Sequence, residues 1–426
     1  AGAAALASAA VVGSATGAVG AGASARTHAR RDSRRAGDGC RGPRVALCSA
    51  SKSDIFSDDQ DTALPDDQVE VVSYNVLSSR LSDPQFFRHS HPSDLDANTR
   101  FKRILRKLQP SVQRGAVVCL QEVSMQWAGS LHLFFQRRGY HFVTSLYGRQ
   151  ADGCMGIGVA YPMRRYETEA VQIERVADGK PWSGRRETGG SASAMLDLAG
   201  YFASPLSAHG QAFMRSEQDD EEAWANSLDV WEYSRTRHNT MVAVKLKPKV
   251  GVDKRPFVVA TYHMPCAFFA PQVMVIHTAL AAQMAFKFAG ACPLVLAGDW
   301  NFKPGSGPYQ LLTKGRLPAE HPAHPIYPEG EDWRVEERLK PLRSVYAELT
   351  PRGEPEFTNY AWTKHDRDPF IGTLDYIFVT QGAELISVGQ LPAARMCPSP
   401  LPTKDEPSDH LLLSARLRPR PRPANA

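Results

Sequence analysis

From residue 69 to residue 417, short apolar runs of strand length alternate with stretches of helical spacing. Strands are predicted over 69–77, 116–123, 156–161, 238–246, 256–263, 292–299, 371–379 and 411–417. Helices are predicted over 98–109, where Pro110 ends the pattern, over 126–138 and over the apolar stretch 272–290. Strands interleaved with helices predict a layered α/β architecture. The stretch 178–236 breaks the rhythm. It is polar, bears Gly and Ser and contains the run Asp219-Asp220-Glu221-Glu222, so it reads as an elaborated loop with short helices. Residues 316–345 are Pro-rich and read as irregular.

The ends differ from the middle. Residues 1–50 are Ala, Gly, Ser and Arg with few acids, the composition of an organelle transit peptide for a plastid or mitochondrion. A disordered biased tail is the alternative, with a cytoplasmic or nuclear protein. A linker completes 1–58, and 418–426, with alternating Arg and Pro, reads as a disordered basic tail. The net charge of +5 lies in these ends. Residues 1–58 carry eight Lys/Arg against four Asp/Glu, and 414–426 carry four Arg and no acid. The 38 basic and 41 acidic residues between them leave −3, which argues against a basic groove for long nucleic acid. Seven cysteines without a CxxC predict neither a disulfide framework nor a zinc site. No apolar run reaches the length of a membrane span, so no membrane partner is expected.

Several predicted strands end in residues that carry chemistry. Gly298-Asp299-Trp300-Asn301 follows an apolar run, and side chains two apart on a strand share a face, which would present Asp299 and Asn301 together. Glu122 and Asn75 stand at two other strand ends, a reasonable oxygen-ligand pair for Mg²⁺. His263 ends a fourth strand. Asp375 lies among residues that otherwise belong to a core and needs a partner, which Ser408-Asp409-His410 can supply. Singly, each has an ordinary structural reading: a salt-bridged glutamate, a turn asparagine or a satisfied core histidine.

Taken in order, SYNVL, LQEV, YHM, GDWN, LDYIF and SDH resemble the endonuclease/exonuclease/phosphatase superfamily. The resemblance spans 69–417 and implies a four-layer α/β/β/α sandwich, with two packed mixed β-sheets flanked by helices. It implies Mg²⁺, with Mn²⁺ as a substitute, on Glu122 with Asn75 and Asp409 nearby. Asp299 would orient or activate the attacking water. Asn301 would hold the phosphate or the nucleophile. His410, buttressed by Asp375, would stabilise charge on the phosphoryl oxygens, and His263 would contact the phosphate or assist the leaving group. Asn239 sits where the family places another polar residue.

Phe357-Thr358-Asn359-Tyr360 ahead of Phe370 resembles the deadenylase-like branch: carbon catabolite repressor four-type deadenylases, nocturnin and 2′-phosphodiesterases. There Asn359 and Phe370 would flank a nucleobase, although a turn residue and a core residue fit the two equally well. One departure stands out. Deadenylases carry a proline five residues after the histidine matching His263, and here that position is Phe268. A monomer without a leucine-rich repeat partner module is expected. The function expected is a 3′–5′ exoribonuclease or related phosphodiesterase acting on an RNA 3′ end or a nucleotide. Three alternatives remain: a phosphatase on a small metabolite or lipid headgroup, an abasic-site DNA endonuclease, and a catalytically inactive RNA- or protein-binding member.

Overall fold

The computed structural model describes residues 64–147, 155–182, 228–364 and 367–420. The expected leader over 1–58, most of the 178–236 loop and 421–426 of the tail lie outside the described residues. One six-stranded sheet contains β1 (Val69–Asn75), β2 (Val117–Ser124), β3 (Tyr140–Leu146), β4 (Met155–Pro162), β13 (Glu384–Val388) and β14 (Leu413–Arg418). Its order is β13-β14-β1-β2-β4-β3. The other contains β5 (Tyr166–Arg175), β6 (Thr240–Pro248), β7 (Phe257–His263), β8 (Leu294–Asp299), β9 (Arg343–Ser344) and β12 (Asp375–Val379), in the order β5-β6-β7-β8-β12-β9. Both sheets are mixed: β1–β2 and β7–β8 run parallel, while their remaining pairings are antiparallel. A small hairpin of β10 (Asn359–Ala361) and β11 (Phe370–Gly372) stands apart.

The layers follow from which residues each strand buries on which face. Val71, Val117 and Val159 of the first sheet share a core with Val244, Val259, Val295 and Ile377 of the second. The opposite face of the first sheet, with Val72, Tyr74, Val118 and Leu120, packs on α2 (Ala97–Arg114) and α3 (Met125–Gln136). The opposite face of the second, with Val258, Ala260 and Leu296, packs on α5 (Pro271–Ala289). The result is the expected α/β/β/α sandwich, with the central strands of both sheets buried on both sides. Short helices α1 (Pro92–Leu95), α4 (Val230–Thr236), α6 (Gly307–Lys314) and α7 (Val345–Leu349) fill the connections.

Two sequence expectations are corrected. Pro110 does not end α2, which runs on to Arg114 and is capped by Gly115 at φ 92°. Pro110 is exposed, so the Arg106 carbonyl left without its donor faces water, while Ser111 and Val112 continue the buried stripe of Ile104 and Leu108. The predicted strand 371–379 divides at Thr373-Leu374. Its first part pairs with β10 and its second with β8, so the chain leaves one partner before it joins the other.

Candidate active site

Strand register assembles the site at one end of the sandwich. His263 lies beside Asp299 in the parallel β7–β8 pair, and Asp299 lies opposite Asp375 in the antiparallel β8–β12 pair. All three have the odd-numbered parity of Val259, Val295 and Ile377, which face the gap between the sheets. Asn75 has the parity of Val71 and reaches the same gap from the first sheet.

Glu122 has the wrong parity. On a regular β2 it would point with Val118 and Leu120 towards α2 and α3. A bulge between Gln121 and Val123 corrects this, with Glu122 held at φ 58°. The extra residue turns its carboxylate into the site and returns Val123 to the helix side. Backbone strain is thus concentrated at a residue whose direction matters.

The side chains meet around Asn75. Its Nδ2 donates to Glu122 Oε1 at 3.0 Å and to Asp299 Oδ2 at 2.9 Å, and lies 3.5 Å from His410 Nε2. The backbone N–H of Ser78 donates to Glu122 Oε2 at 2.9 Å. His410 Nδ1 is 2.8 Å from Asp375 Oδ2, which also accepts from Thr358 Oγ1 at 2.7 Å. His410 Nε2 and His263 Nε2 stand 3.7 and 3.5 Å from Asp299 Oδ2. Burial pushes the Asp375 carboxyl up to about 6 against the opposing pull of His410. Burial disfavours charge on His410 as well, but Asp375, Asp299 and Asp409 outweigh it and hold its imidazolium well above the ordinary histidine range.

Glu122 and Asp299 are two buried carboxylates, and among the described residues no lysine or arginine pairs with either. A carboxylate pair so placed is costly unless a cation joins it. Carboxylate oxygens are donors a hard divalent ion takes, whereas Asn75, expected beside the cation, turns its Oδ1 to accept from Leu77 N–H at 2.9 Å and its Nδ2 to the two carboxylates. Ligand-type atoms of Glu122, His263 and Asp299 lie within 4.8 Å of one another, as do those of Asp299, Asp375 and His410. Asp409, expected beside the cation, belongs to neither group. Its Oδ2 accepts from Asn359 Nδ2 at 3.3 Å and its Oδ1 from Ser408 Oγ at 3.4 Å.

Asn301 reaches the site by a route other than strand alternation. β8 ends at Asp299, and Asn301 takes φ 50°. Its N–H donates to Asp299 Oδ1 at 3.0 Å and its Nδ2 to the Met264 carbonyl at 2.9 Å. Gly298 makes the close approach of β7 possible, since a Cβ there would fall 1.9 Å from the Tyr262 carbonyl oxygen. Asn239 donates Nδ2 to the His263 carbonyl at 2.8 Å and supports the end of β7.

The β10–β11 hairpin carries both proposed base contacts. Asn359 lies opposite Gly372, and Phe370 lies two residues along the same face. A Cβ on Gly372 would come 3.1 Å from Phe370 Cζ, and Lys303 Nζ stands 5.1 Å from the Phe370 ring centroid. The bare Cα of Gly372 lets the Phe370 ring lie close against the strand.

Three contributors escaped the sequence reading. Arg100 is fully buried and donates to the carbonyls of Val76 (2.6 Å), Leu77 (2.7 Å) and Pro407 (2.7 Å), tying the exits of β1 and the 407–410 segment together. Burial pulls its guanidinium down to about 10, with Asp409 opposing, so it stays charged at neutral pH. Its signal was present, because Arg100 falls on the buried α2 stripe one turn before Ile104. In the sequence Thr358 is visible only as part of the Phe357-Thr358-Asn359-Tyr360 motif. Tyr147, whose hydroxyl is 2.6 Å from His263 Nδ1, had no visible signal.

Comparison with known proteins accords with this geometry. The Endonuclease/Exonuclease/phosphatase family model matches residues 72–410. Carbon catabolite repressor protein 4 homolog 1 of Arabidopsis thaliana is 30% identical over 392 residues, covering 83% of this chain and 58% of that protein. Homolog 2 from the same plant is 25% identical over 396 residues with the same coverage, so the chain spans little more than half the length of these relatives. Human 2′,5′-phosphodiesterase 12 is 32% identical over 133 residues, 30% of this chain and 19% of that protein. The crystal structure of ANGEL2, a 2′,3′-cyclic phosphatase in complex with adenosine-2′,3′-vanadate, shares the fold at a TM-score of 0.57 and 19% identity, covering 83% of this chain and 96% of that one.

Proposed function

We propose, because this chain belongs to the endonuclease/exonuclease/phosphatase family, that it is a Mg²⁺-dependent phosphodiesterase of the deadenylase-like branch that hydrolyses RNA 3′ ends or a related nucleotide. The observation that carries the reading is the cluster in which one carboxamide, Asn75, bonds both Glu122 and Asp299 beside two imidazoles. Glu122, with Asp299 beside it and Asn75 fixing both carboxylates, would hold the divalent ion, which when bound supplies positive charge beside the phosphoryl oxygens.

The protein's own groups account for the rest. Asp299 Oδ2 is the acceptor placed to orient a water and draw off its proton during in-line attack. His410, held by Asp375 through Nδ1, keeps Nε2–H at the site as a donor to charge growing on phosphoryl oxygens. Asp375 is held in turn by Thr358, so the imidazole needs little reorganisation during the reaction. The Asn359–Gly372–Phe370 face would take the base, with stacking contributing about 1–3 kcal/mol. A relative named as the CCR4-Not complex 3′-5′-exoribonuclease subunit Ccr4 of Aspergillus niger supports the RNA 3′ end as substrate.

The test is a substrate panel with the whole chain in Mg²⁺ and in EDTA: oligo(A), mixed RNA, single- and double-stranded DNA, 2′,5′-oligoadenylate and a 2′-phosphorylated dinucleotide. Hydrolysis of an RNA or nucleotide substrate that EDTA abolishes is expected. Release of phosphate from small metabolites with no RNA cleavage would favour the phosphatase alternative.

A further inference from the structure

We propose that Tyr147 is a positioning residue that locks His263 as the tautomer with hydrogen on Nε2, making this histidine a hydrogen-bond donor to the reacting group and not a ligand of the cation. The observations lie on the two sides of one ring. On the inner side, His263 Nε2 is 3.5 Å from Asp299 Oδ2, a carboxylate oxygen that already accepts from Asn75 at 2.9 Å. An unprotonated Nε2 would set a lone pair against that oxygen, two acceptors facing each other. A hydrogen on Nε2 turns the same geometry into an attraction.

On the outer side, the Tyr147 hydroxyl lies 2.6 Å from Nδ1, with the two rings edge to face at a centroid separation of 6.2 Å. In a neutral imidazole, hydrogen on Nε2 leaves Nδ1 bare, so the phenol must donate to it. Burial suits the phenol to that role by keeping it protonated. Tyr147 directly follows β3, which among the described residues pairs only with β4 at the edge of the first sheet. The hydroxyl therefore reaches across to the last residue of β7 in the other sheet and couples the two at the site.

The consequence concerns which atoms remain for a divalent ion. Glu122, His263 and Asp299 offer ligand-type atoms within 4.8 Å of one another. Tautomer locking withdraws the histidine from that group and leaves oxygen donors. It gives the site two imidazole donors, each held from Nδ1 by a neighbour: His410 by Asp375 and His263 by Tyr147.

The experiment records long-range ¹H–¹⁵N correlations of the imidazoles in the whole chain labelled with ¹⁵N-histidine. His263→Asn assigns the resonance. The expected pattern in the wild type is a protonated Nε2 and a bare Nδ1, unchanged when Mg²⁺ alone is added. In Tyr147→Phe the two nitrogens should average between tautomers. The proposal is overturned if Nδ1 carries the hydrogen in the wild type, if Mg²⁺ strips the hydrogen from Nε2, or if Tyr147→Phe leaves the pattern unchanged. The kinetic arm rests on the hydrolytic reading: Tyr147→Phe should lower kcat by about 10- to 100-fold with KM held, as loss of an orienting partner does. An unchanged kcat also overturns the role. The spectra need no substrate, so a wild-type protein inert on every substrate would refute the proposed function without touching the tautomer assignment.

Discussion

Arg100→Met removes the tie that joins the two chain segments supplying Asn75 and His410. The guanidinium makes three short bonds to carbonyls, of 2.6, 2.7 and 2.7 Å, and has no exposure. Each charge-assisted bond contributes about 1.5–3 kcal/mol, and each carbonyl left unpaired costs about 1–3 kcal/mol. Relief of the buried charge offsets part of this, so the net loss expected is about 3–5 kcal/mol. At about 2.1 cal/mol/K of unfolding entropy per residue, a domain over 69–417 has about 0.7 kcal/mol/K, and the melting temperature should fall by about 4–7 °C. Lysine at the same position should rescue little, because one ammonium cannot match a three-carbonyl fork.

The companion variant is Arg165→Met. Arg165 also donates to three carbonyls, those of Leu64, Pro65 and Gln68, but beside the opposite end of β1. Both variants should lose comparable stability by calorimetry. Well below the melting range, only Arg100→Met should lose kcat, on the order of 10- to 100-fold, through misplacement of Asn75 and His410. A loss under about 1 kcal/mol for Arg100→Met, or equal kcat losses in both variants, would refute the reasoning.

Two further outcomes are expected. His277 is buried between the Tyr262 hydroxyl and the Ser234 carbonyl, and burial lowers it to about 3. The unfolded chain takes up its proton near pH 6.5 while the fold does not, so this contribution to stability is complete above that pH and is lost as pH falls towards 3. It amounts to roughly 2 kcal/mol between pH 6.5 and 5, and His277→Gln should flatten that part of the urea-midpoint profile. Gly372→Val places a branched side chain where even a Cβ would meet Phe370 at 3.1 Å. It should raise KM for an adenine-ended substrate by roughly tenfold, with a smaller effect on kcat, as loss of about 1.4 kcal/mol of stacking would; equal kcat and KM effects would count against a base slot there.

The layered fold was legible because strand runs and helical stretches alternate along most of the chain. The parts that escaped are those where tertiary context outweighs local pattern. β5 has Glu167, Thr168, Glu169, Gln172 and Glu174 along it and reads as polar surface, yet it pairs as an edge strand with Val171 and Ile173 half exposed. Pro110 reads as a stop, yet it sits where water can serve the freed carbonyl. The strand-end residues were legible because a polar group after an apolar run is conspicuous. Their orientation was not, since it depends on a bulge at Glu122 and on positive φ at Asn301. Tyr147 could not be found from spacing, because a sheet-to-sheet contact between residues 147 and 263 has no local signature.

Glu122 and Asp299 are proposed to form one metal-dependent hydrolytic centre. The direct measurement is cleavage of 3′-labelled RNA by the whole chain with Mg²⁺, with EDTA, and by Glu122→Gln with Mg²⁺, while circular dichroism monitors the fold. The Gln side chain can retain the bond from Ser78 N–H while it loses the charge and the oxygen that accepts from Asn75 Nδ2. Cleavage in the first condition alone, with folded protein in all three, is the predicted result. Cleavage that survives EDTA, or that Glu122→Gln performs at the wild-type rate, would contradict it.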